Sequence, residues 1–144
     1  MSGTSAIFHN AFEVTDLGAT RRFYGDLLGC PTGRRRDHPA SVDFDFFGHH
    51  IVCHLAAGEA GDEVRSTNLA SDLRHRHFGV ILEWPAWEAL AERLRGAGVE
   101  FLVEPQTRYV GEPQEEALLM LRDPSGNALE FKTFRDVRHL FGTA

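Results

Sequence analysis

The order of patterned segments repeats once along this chain, and that repeat limits the folds available to it. Alternating apolar and polar residues predict strands, and an apolar period near 3.6 residues predicts helices. The resulting order is β-α-β-β-β, linker, β-α-β-β-β. One such unit alone would bury only one side of its sheet. Two curved sheets that meet edge to edge are expected to enclose a cleft.

Turn and cap residues bound the elements of both units. Asp16 or Thr15 can cap the first helix, which Gly29 ends, and Pro85 suits the start of the second helix. The predicted elements of the first unit are 7–14, 17–28 (helix), 34–36 (strand or loop), 42–46 and 50–56. Those of the second unit are 77–82, 85 to 96 or 98 (helix), 99–103, 117–121 and 128–134, followed by a short helix at 137–141.

The predicted fold class is α+β, with two tandem βαβββ units that form a curved mixed sheet around the cleft. At 144 residues, the chain is long enough for one domain with a substantial core. Unit one is expected at about 7–56, a linker at 57–75, unit two at about 76–134 and a C-terminal tail at 135–144.

Composition excludes several classes of partner. A net charge of −6 and a pI of about 5.7 argue against nucleic acid or an anionic membrane. The chain has no apolar run near 18 residues and no signal-peptide pattern, so a soluble, cytoplasmic protein is expected. Cys30 and Cys53 lie among apolar residues and are expected to be reduced thiols in the core.

Four residues with metal-binding side chains occupy matching places in the two predicted units. His9 and His77 open the first strand of each unit, and His54 and Glu130 lie in the last strand. Imidazole and carboxylate ligands suit Fe2+, Mn2+, Zn2+, Co2+ or Ni2+ rather than Ca2+. A set of two histidines and one carboxylate leaves positions open for substrate and O2. A metal-binding cleft with His9, His77 and Glu130 as ligands is therefore predicted.

Each of these residues also has a simpler interpretation when it is taken singly. A histidine at the start of a strand is often solvated, and Glu130 alone could point to solvent. Matching positions across a repeat favour the metal site instead. His54 is left open as a fourth ligand, a hydrogen-bond donor or a catalytic acid–base group, and the strand spacing sets His50 on the same face. Ala11 and Gly79 are small neighbours that would leave room for a metal and a substrate.

A polar segment at 106–114 is the strongest candidate for contact with a substrate. It overlaps the predicted loop at 104–113, which is the extra length of the second unit. Arg108 could bind a carboxylate or a phosphate there. The alternative is a solvated hairpin loop.

The paired units carry motifs that resemble those of the vicinal oxygen chelate superfamily. The first unit has FHNAFEVTDLGATRRFYGDLLGC, and the second has HFGVIL and then LRDPSGNALEFK. The superfamily includes glyoxalase I, bleomycin- and fosfomycin-resistance proteins, methylmalonyl-CoA epimerase and extradiol dioxygenases. The resemblance covers 9–134 and implies metal ligands on the first and last strands of each unit. It assigns that role to His9, His77 and Glu130, with His54 at the remaining position.

The same resemblance implies a metal-dependent enzyme that acts on a small substrate with vicinal oxygens. The three ligands match an extradiol-type dioxygenase with Fe2+, with Mn2+, Zn2+, Ni2+ and Co2+ as alternatives. Met120 stands about where those enzymes carry a tyrosine, and Tyr109 or Tyr24 could substitute for it. His54 and Tyr109 are therefore the expected catalytic residues, and Arg108 and His50 the substrate-binding residues.

Two other functions stay open at this point. One is a glyoxalase- or epimerase-like lyase or isomerase that works through a metal-bound enolate. Glyoxalase I has a carboxylate at the place of His54, which counts against a plain glyoxalase I. The other is a non-catalytic protein that binds a small-molecule drug and confers resistance. A homodimer is expected from the resemblance in every case.

Overall fold

The computed structural model of the chain describes residues 6–56 and 76–141, and the predicted linker at 57–75 lies outside them. The chain divides between Arg65 and Ser66 into two compact units. Each unit carries one four-stranded mixed sheet. The predicted α+β class and the tandem βαβββ units are confirmed. No helix in the described part of the chain is long and apolar enough to span a membrane.

The first unit orders its strands β1-β4-β3-β2, with β1 parallel to β4 and the other pairs antiparallel. A π-helical segment, Arg22–Leu27, directly continues helix α1. The elements are β1 (His9–Val14), α1 (Leu17–Arg21), β2 (Thr32–Asp37), β3 (Ala40–Phe46) and β4 (His49–Leu55). The helical segment packs Tyr24 into the core against Phe44, with ring centres 5.4 Å apart.

Local chemistry explains where this helical segment begins and how it ends. The side chain of Asp16 accepts a hydrogen bond from the Ala19 amide at 2.9 Å, as a helix N-cap does. Gly29 follows the segment with φ of 77°, a conformation that glycine adopts without strain. The predicted helix over 17–28 is therefore right in extent. Its second half differs in pattern, because the Leu28 amide donates to the Phe23 carbonyl five residues earlier.

The second unit orders its strands β5-β8-β7-β6, with β5 parallel to β8. Its elements are β5 (Phe78–Ile81), α2 (Trp84–Gly96), β6 (Phe101–Arg108), β7 (Glu116–Arg122), β8 (Ala128–Phe134) and a 3₁₀ turn at Val137–His139. Proline lies in the first turn of α2, as predicted. The helix buries Trp87, Leu90 and Leu94 against the sheet, and the Trp87 indole donates to the Phe131 carbonyl at 2.9 Å.

Several predicted boundaries are wrong, and the largest error concerns β6. The predicted loop at 104–113 begins only after Arg108, because Gln106, Thr107 and Arg108 pair with β7. Pro105 is tolerated since β6 is an edge strand and its register shifts between Val103 and Gln106, the interval that contains this proline. The strand predicted at 42–46 begins two residues earlier, at Ala40. The terminal helix at 137–141 shrinks to three residues.

Both cysteines lie in the core of the first unit and neither forms a disulfide, in agreement with the prediction. Burial raises the pKa of the Cys30 thiol to about 11, and the nearby Asp45 carboxylate adds to that rise. A hydrogen bond with the Phe47 backbone opposes it. At neutral pH, Cys30 therefore stays protonated and is a poor nucleophile.

Candidate functional site

In the second unit the structure brings together two of the three predicted metal ligands. His77 directly precedes β5, and Glu130 lies in the middle of β8. The Nε2 atom of His77 is 3.8 Å from Oε1 of Glu130, with side chains 28% and 21% exposed. This distance is too long for a hydrogen bond. It is somewhat longer than the roughly 3.0–3.4 Å that separates neighbouring ligand atoms around an ion with bonds of about 2.1 Å.

Gly79 is what allows β5 to run this close to Glu130. The two residues are direct partners in the parallel β5–β8 ladder. A Cβ atom built on Gly79 would lie 1.5 Å from the Glu130 carbonyl oxygen. The prediction that Gly79 leaves room for a metal or a substrate is therefore wrong in its reason. Gly79 leaves room for the backbone of β8, and this close approach sets His77 beside Glu130.

A buried apolar wall borders Glu130 on the other side. Met120 of β7 is its direct partner across the antiparallel ladder and is fully buried. Leu118 follows at the next place on the same face, opposite Lys132. Methionine cannot donate or accept a proton in catalysis. The position at which the resemblance implies a tyrosine in extradiol dioxygenases therefore holds no acid–base group in this chain.

Charged residues occupy the end of this sheet face away from His77. Lys132 forms an ion pair with Glu116 at 3.3 Å, and Arg108 is the strand partner of Glu116. In the described ranges, no hydrogen bond or ion pair joins the Arg108 guanidinium to another residue. Arg108 is thus the last residue of a strand, and not part of a loop as predicted, but its cation stays available.

Tyr109 lies too far along the sheet to replace a phenol beside Glu130. It follows β6, is 51% exposed and has φ of 56°. Its neighbour Arg108 pairs with Glu116, which lies four residues along β7 from Met120, the partner of Glu130. Four residues of strand span roughly 13 Å. The structure therefore does not bring Tyr109 to Glu130.

In the first unit a line of hydrogen bonds runs inward from His9. His9 is exposed and is the strand partner of His50, and their Nδ1 atoms are 2.9 Å apart. The rings are inclined by only 25°, with centres 4.9 Å apart. Since stacked rings would not bring two nitrogen atoms to 2.9 Å, the two rings meet edge to edge through a hydrogen bond.

The line continues from His50 to a buried carboxylate. Nε2 of His50 lies 2.9 Å from Oδ2 of Asp43, which is only 7% exposed. Arg36 donates to Oδ1 of the same carboxylate at 3.1 Å and to the Ser41 hydroxyl at 3.3 Å. Burial raises the pKa of Asp43, but the hydrogen bonds and charges of His50 and Arg36 outweigh it and hold this pKa below its usual value. Asp43 is therefore a carboxylate at neutral pH.

This line of residues was missed by the sequence analysis. The alternation at 42–46 sets Asp43 only on the polar side of a predicted strand, and 34–36 is predicted as a strand or a loop. His50 was predicted to bind substrate, but both of its ring nitrogens are engaged within the first unit. One signal was present in the sequence. Asp43 and His50 flank the Phe47-Gly48 turn at a spacing that sets them on one face of a hairpin.

The register of the two sheets changes the predicted match between His54 and Glu130. Glu130 lies opposite Gly79, two residues after His77. The same place in the first unit lies opposite Ala11, two residues after His9, and it holds Val52. His54 lies two residues further on, opposite Glu13, with a half-buried side chain. A valine cannot bind a metal, so the first unit has no counterpart of the Glu130 carboxylate.

The donor atoms present in the described part of each unit are of the kinds that bind a divalent transition metal. In residues 6–56 and 76–141, no group of three or more His, Cys, Asp or Glu side chains is arranged to hold a metal ion. The second unit offers one imidazole and one carboxylate at 3.8 Å. The first unit offers the exposed imidazole of His9, whose Nε2 has no partner among the described residues. Mixed imidazole and carboxylate donors are typical of Fe2+, Mn2+, Co2+, Ni2+ and Zn2+ sites.

Comparison with solved structures gives relatives over nearly the whole chain. A glyoxalase/bleomycin resistance protein/dioxygenase from Alicyclobacillus acidocaldarius is 31% identical, with a TM-score of 0.79, covering 98% of this chain and 100% of that chain. A glyoxylase/bleomycin resistance protein/dioxygenase domain from Frankia sp. EAN1pec is 24% identical, with a TM-score of 0.69 and coverages of 95% and 97%. The fosfomycin resistance protein FosX from Listeria monocytogenes is 16% identical, with a TM-score of 0.66 and coverages of 91% and 94%.

Two further comparisons use the sequence alone. A search of curated proteins finds no significant match. A family profile, described as the Glyoxalase/Bleomycin resistance protein/Dioxygenase superfamily, matches residues 6–131. That match covers both units and every predicted metal ligand. The chain therefore belongs to the glyoxalase/bleomycin resistance protein/dioxygenase superfamily.

Proposed function

We propose that the protein is a metal-dependent enzyme that acts on a small substrate with two vicinal oxygen atoms. Its metal ligands are His9, His77 and Glu130. The observation that carries this proposal is the 3.8 Å approach of His77 Nε2 to Glu130 Oε1, in a chain of this superfamily. Gly79 maintains that approach, because a Cβ atom at this position would collide with the Glu130 backbone.

Val52 supports a set of three ligands rather than four. It occupies the place in the first unit that Glu130 occupies in the second, and it has no donor atom. His9, His77 and Glu130 then form a set of two histidines and one carboxylate, which leaves two or three positions for the substrate oxygens and a further molecule. When bound, the divalent ion supplies a Lewis acid that lowers the pKa of the substrate oxygens.

The reaction that this ligand set favours is dioxygenation of the extradiol type, with Fe2+ as the metal. The apolar side chains of Met120 and Leu118 border Glu130 and keep water from that side. Arg108 lies at the far end of the same sheet and would bind an anionic group of the substrate. The substrate would then carry a carboxylate or phosphate away from its vicinal oxygens.

A second candidate is a lyase or isomerase that transfers a proton next to a carbonyl group. Met120 favours it, because the residue across the ladder from Glu130 provides no phenol of the kind implied for extradiol cleavage. The acid–base residue would be His54, which is half-buried and on the polar side of β4. His50 is excluded from that role because both of its ring nitrogens are already engaged.

Metal content and oxygen uptake of the purified protein test these candidates. The protein is prepared with and without air, its metals are measured, and O2 uptake is followed with a panel of catechols. Dioxygenation predicts bound iron after anaerobic preparation and catechol-dependent O2 uptake that Glu130→Gln abolishes. Bound Zn or Ni without O2 uptake would refute dioxygenation and favour the lyase or isomerase. A protein that binds small molecules but no divalent metal would refute both.

A further inference from the structure

The donors and acceptors in the hydrogen bonds that link His9, His50 and Asp43 follow from the chemistry of the three groups. An ionised carboxylate can only accept hydrogen bonds, so the hydrogen between His50 and Asp43 belongs to Nε2 of His50. A neutral imidazole with its hydrogen on Nε2 has a lone pair on Nδ1. The hydrogen between the two Nδ1 atoms then belongs to His9. This leaves the lone pair of His9 on Nε2, which is the nitrogen free to bind a cation.

We propose that Asp43 and His50 are positioning residues that hold His9 in the Nδ1-protonated tautomer and present its Nε2 to the metal. The inference rests on the proposed function, because it takes His9 as a ligand. Nothing in the sequence pattern assigned this role to Asp43. Metal-bound histidines generally donate their other ring N–H to a carboxylate or another acceptor, which fixes the ring and raises its basicity. Here the Asp43 carboxylate acts on His9 through a second histidine, His50.

The exposure of these residues increases from Asp43 through His50 to His9, and this order supports positioning of His9 rather than a purely structural role. Asp43 is buried and is held from its other side by Arg36, so its position is fixed. The side chain of His50 is 44% exposed, and His9 is exposed at the start of β1. A pair that only stabilised the sheet would have no need of an exposed third member. The buried Asp43 instead fixes the orientation of the exposed His9 imidazole through His50.

The two units differ in the residues that surround the histidine of their first strand. His77 has the Glu130 carboxylate within 3.8 Å, whereas Val52 takes the corresponding place near His9. Conversely, His50 lies opposite His9 in the ladder of the first unit. The corresponding residue of the second unit is Ala128, directly before Leu129. His9 thus has a hydrogen-bonded relay and no adjacent carboxylate. His77 has the Glu130 carboxylate nearby, and Ala128 takes the place of His50 in its unit.

Nuclear magnetic resonance of the metal-free protein tests the tautomer without any metal. Nitrogen-15 spectra of the histidine rings distinguish Nδ1–H from Nε2–H. The wild type is expected to show His9 protonated on Nδ1, the tautomer that an isolated imidazole disfavours. His50→Phe removes the acceptor at a half-exposed site, and His9 should then shift toward the Nε2–H tautomer. A wild-type His9 protonated on Nε2 would overturn the inference.

Mn2+ affinity, measured from the electron paramagnetic resonance signal of the free ion, tests the consequence for the metal. His50→Phe and Asp43→Asn should each bind Mn2+ about 10- to 100-fold more weakly than the wild type. Asp26→Asn is the control, because it makes the same charge change at an exposed residue of the helical segment and should leave the affinity within about twofold. Circular dichroism verifies that each variant is folded.

The outcomes separate this inference from the proposed function. If the wild type binds Mn2+ and His77→Ala does not, but His50→Phe binds as tightly as the wild type, only the inference fails. If the wild type and His77→Ala bind Mn2+ equally, the proposed ligand set fails. If the wild type binds no Mn2+, the proposed function fails and the inference fails with it.

Discussion

Replacement of Gly79 by alanine should separate β5 from β8 and dismantle the paired ligands of the second unit. The added Cβ would lie 1.5 Å from the Glu130 carbonyl oxygen, where real Cβ contacts are essentially never under 3.0 Å. The two backbones must therefore part by about 1.5 Å, since neither is the end of a flexible side chain. Such a shift breaks ladder hydrogen bonds of a strand that has only four residues, Phe78–Ile81.

The expected cost can be worked from these contacts. Overpacking of a close contact destabilises by about 1–3 kcal/mol. Each ladder hydrogen bond that is lost adds about 0.5–1.5 kcal/mol. A total of about 3 kcal/mol is expected for Gly79→Ala, measured as a drop in the free energy of unfolding in urea. Mn2+ affinity should fall at least 10-fold, because His77 moves away from Glu130.

Gly96→Ala provides a matched control within the same unit. Gly96 ends helix α2, and a Cβ added there would meet nothing within 4 Å. This change should stabilise the protein slightly, by up to about 1 kcal/mol, since alanine favours the helix. Opposite signs for the two glycine variants are therefore expected. If Gly79→Ala were as stable as Gly96→Ala and kept full Mn2+ affinity, the explanation of Gly79 would be refuted.

Three further predictions concern the framework around the site. Asp16→Ala removes the cap of α1 and should cost about 1 kcal/mol, measured by thermal unfolding, with no change in Mn2+ affinity. Trp87→Phe removes the indole donor to the Phe131 carbonyl and should cost about 0.5–1.5 kcal/mol in urea, whereas an unchanged midpoint would exclude a stabilising role for that bond. Asp43→Asn should be less stable than the wild type at pH 7. Because the folded pKa of Asp43 lies below its unfolded value of 3.8, its contribution is present above that pH and is lost as the pH falls through the folded pKa, so the difference should shrink at pH 3.

Much of this fold could be predicted because its signals are local. The alternation of apolar and polar residues at 42–46 and the run at 128–134 identified strands whose observed ends lie within two residues of the prediction. Asp16 and the proline of α2 marked helix starts for reasons that depend only on backbone hydrogen bonds. The second half of β6, beyond the predicted strand at 99–103, escaped prediction because Pro105 is normally a breaker, and only the edge position of β6 in the sheet permits it.

The site could be predicted only in part, because register is not a local property. Spacing along the chain matched His54 with Glu130, but pairing between strands puts Val52 at that place instead. A shift of two residues keeps the side chain on the same face, so the apolar pattern cannot detect it. Asp43 shows the same limit. Its pattern was that of a solvent-facing residue, and only the fold shows that His50 and Arg36 converge on it.

The central claim is that His9, His77 and Glu130 bind one divalent metal ion, and elemental analysis of two variants tests it most directly. Wild type and His77→Ala are purified side by side, together with His139→Ala as a control histidine in the same unit. The proposed ligand set predicts one metal ion per chain in the wild type and in His139→Ala, and a large loss of metal in His77→Ala. Equal metal content in all three proteins would contradict it.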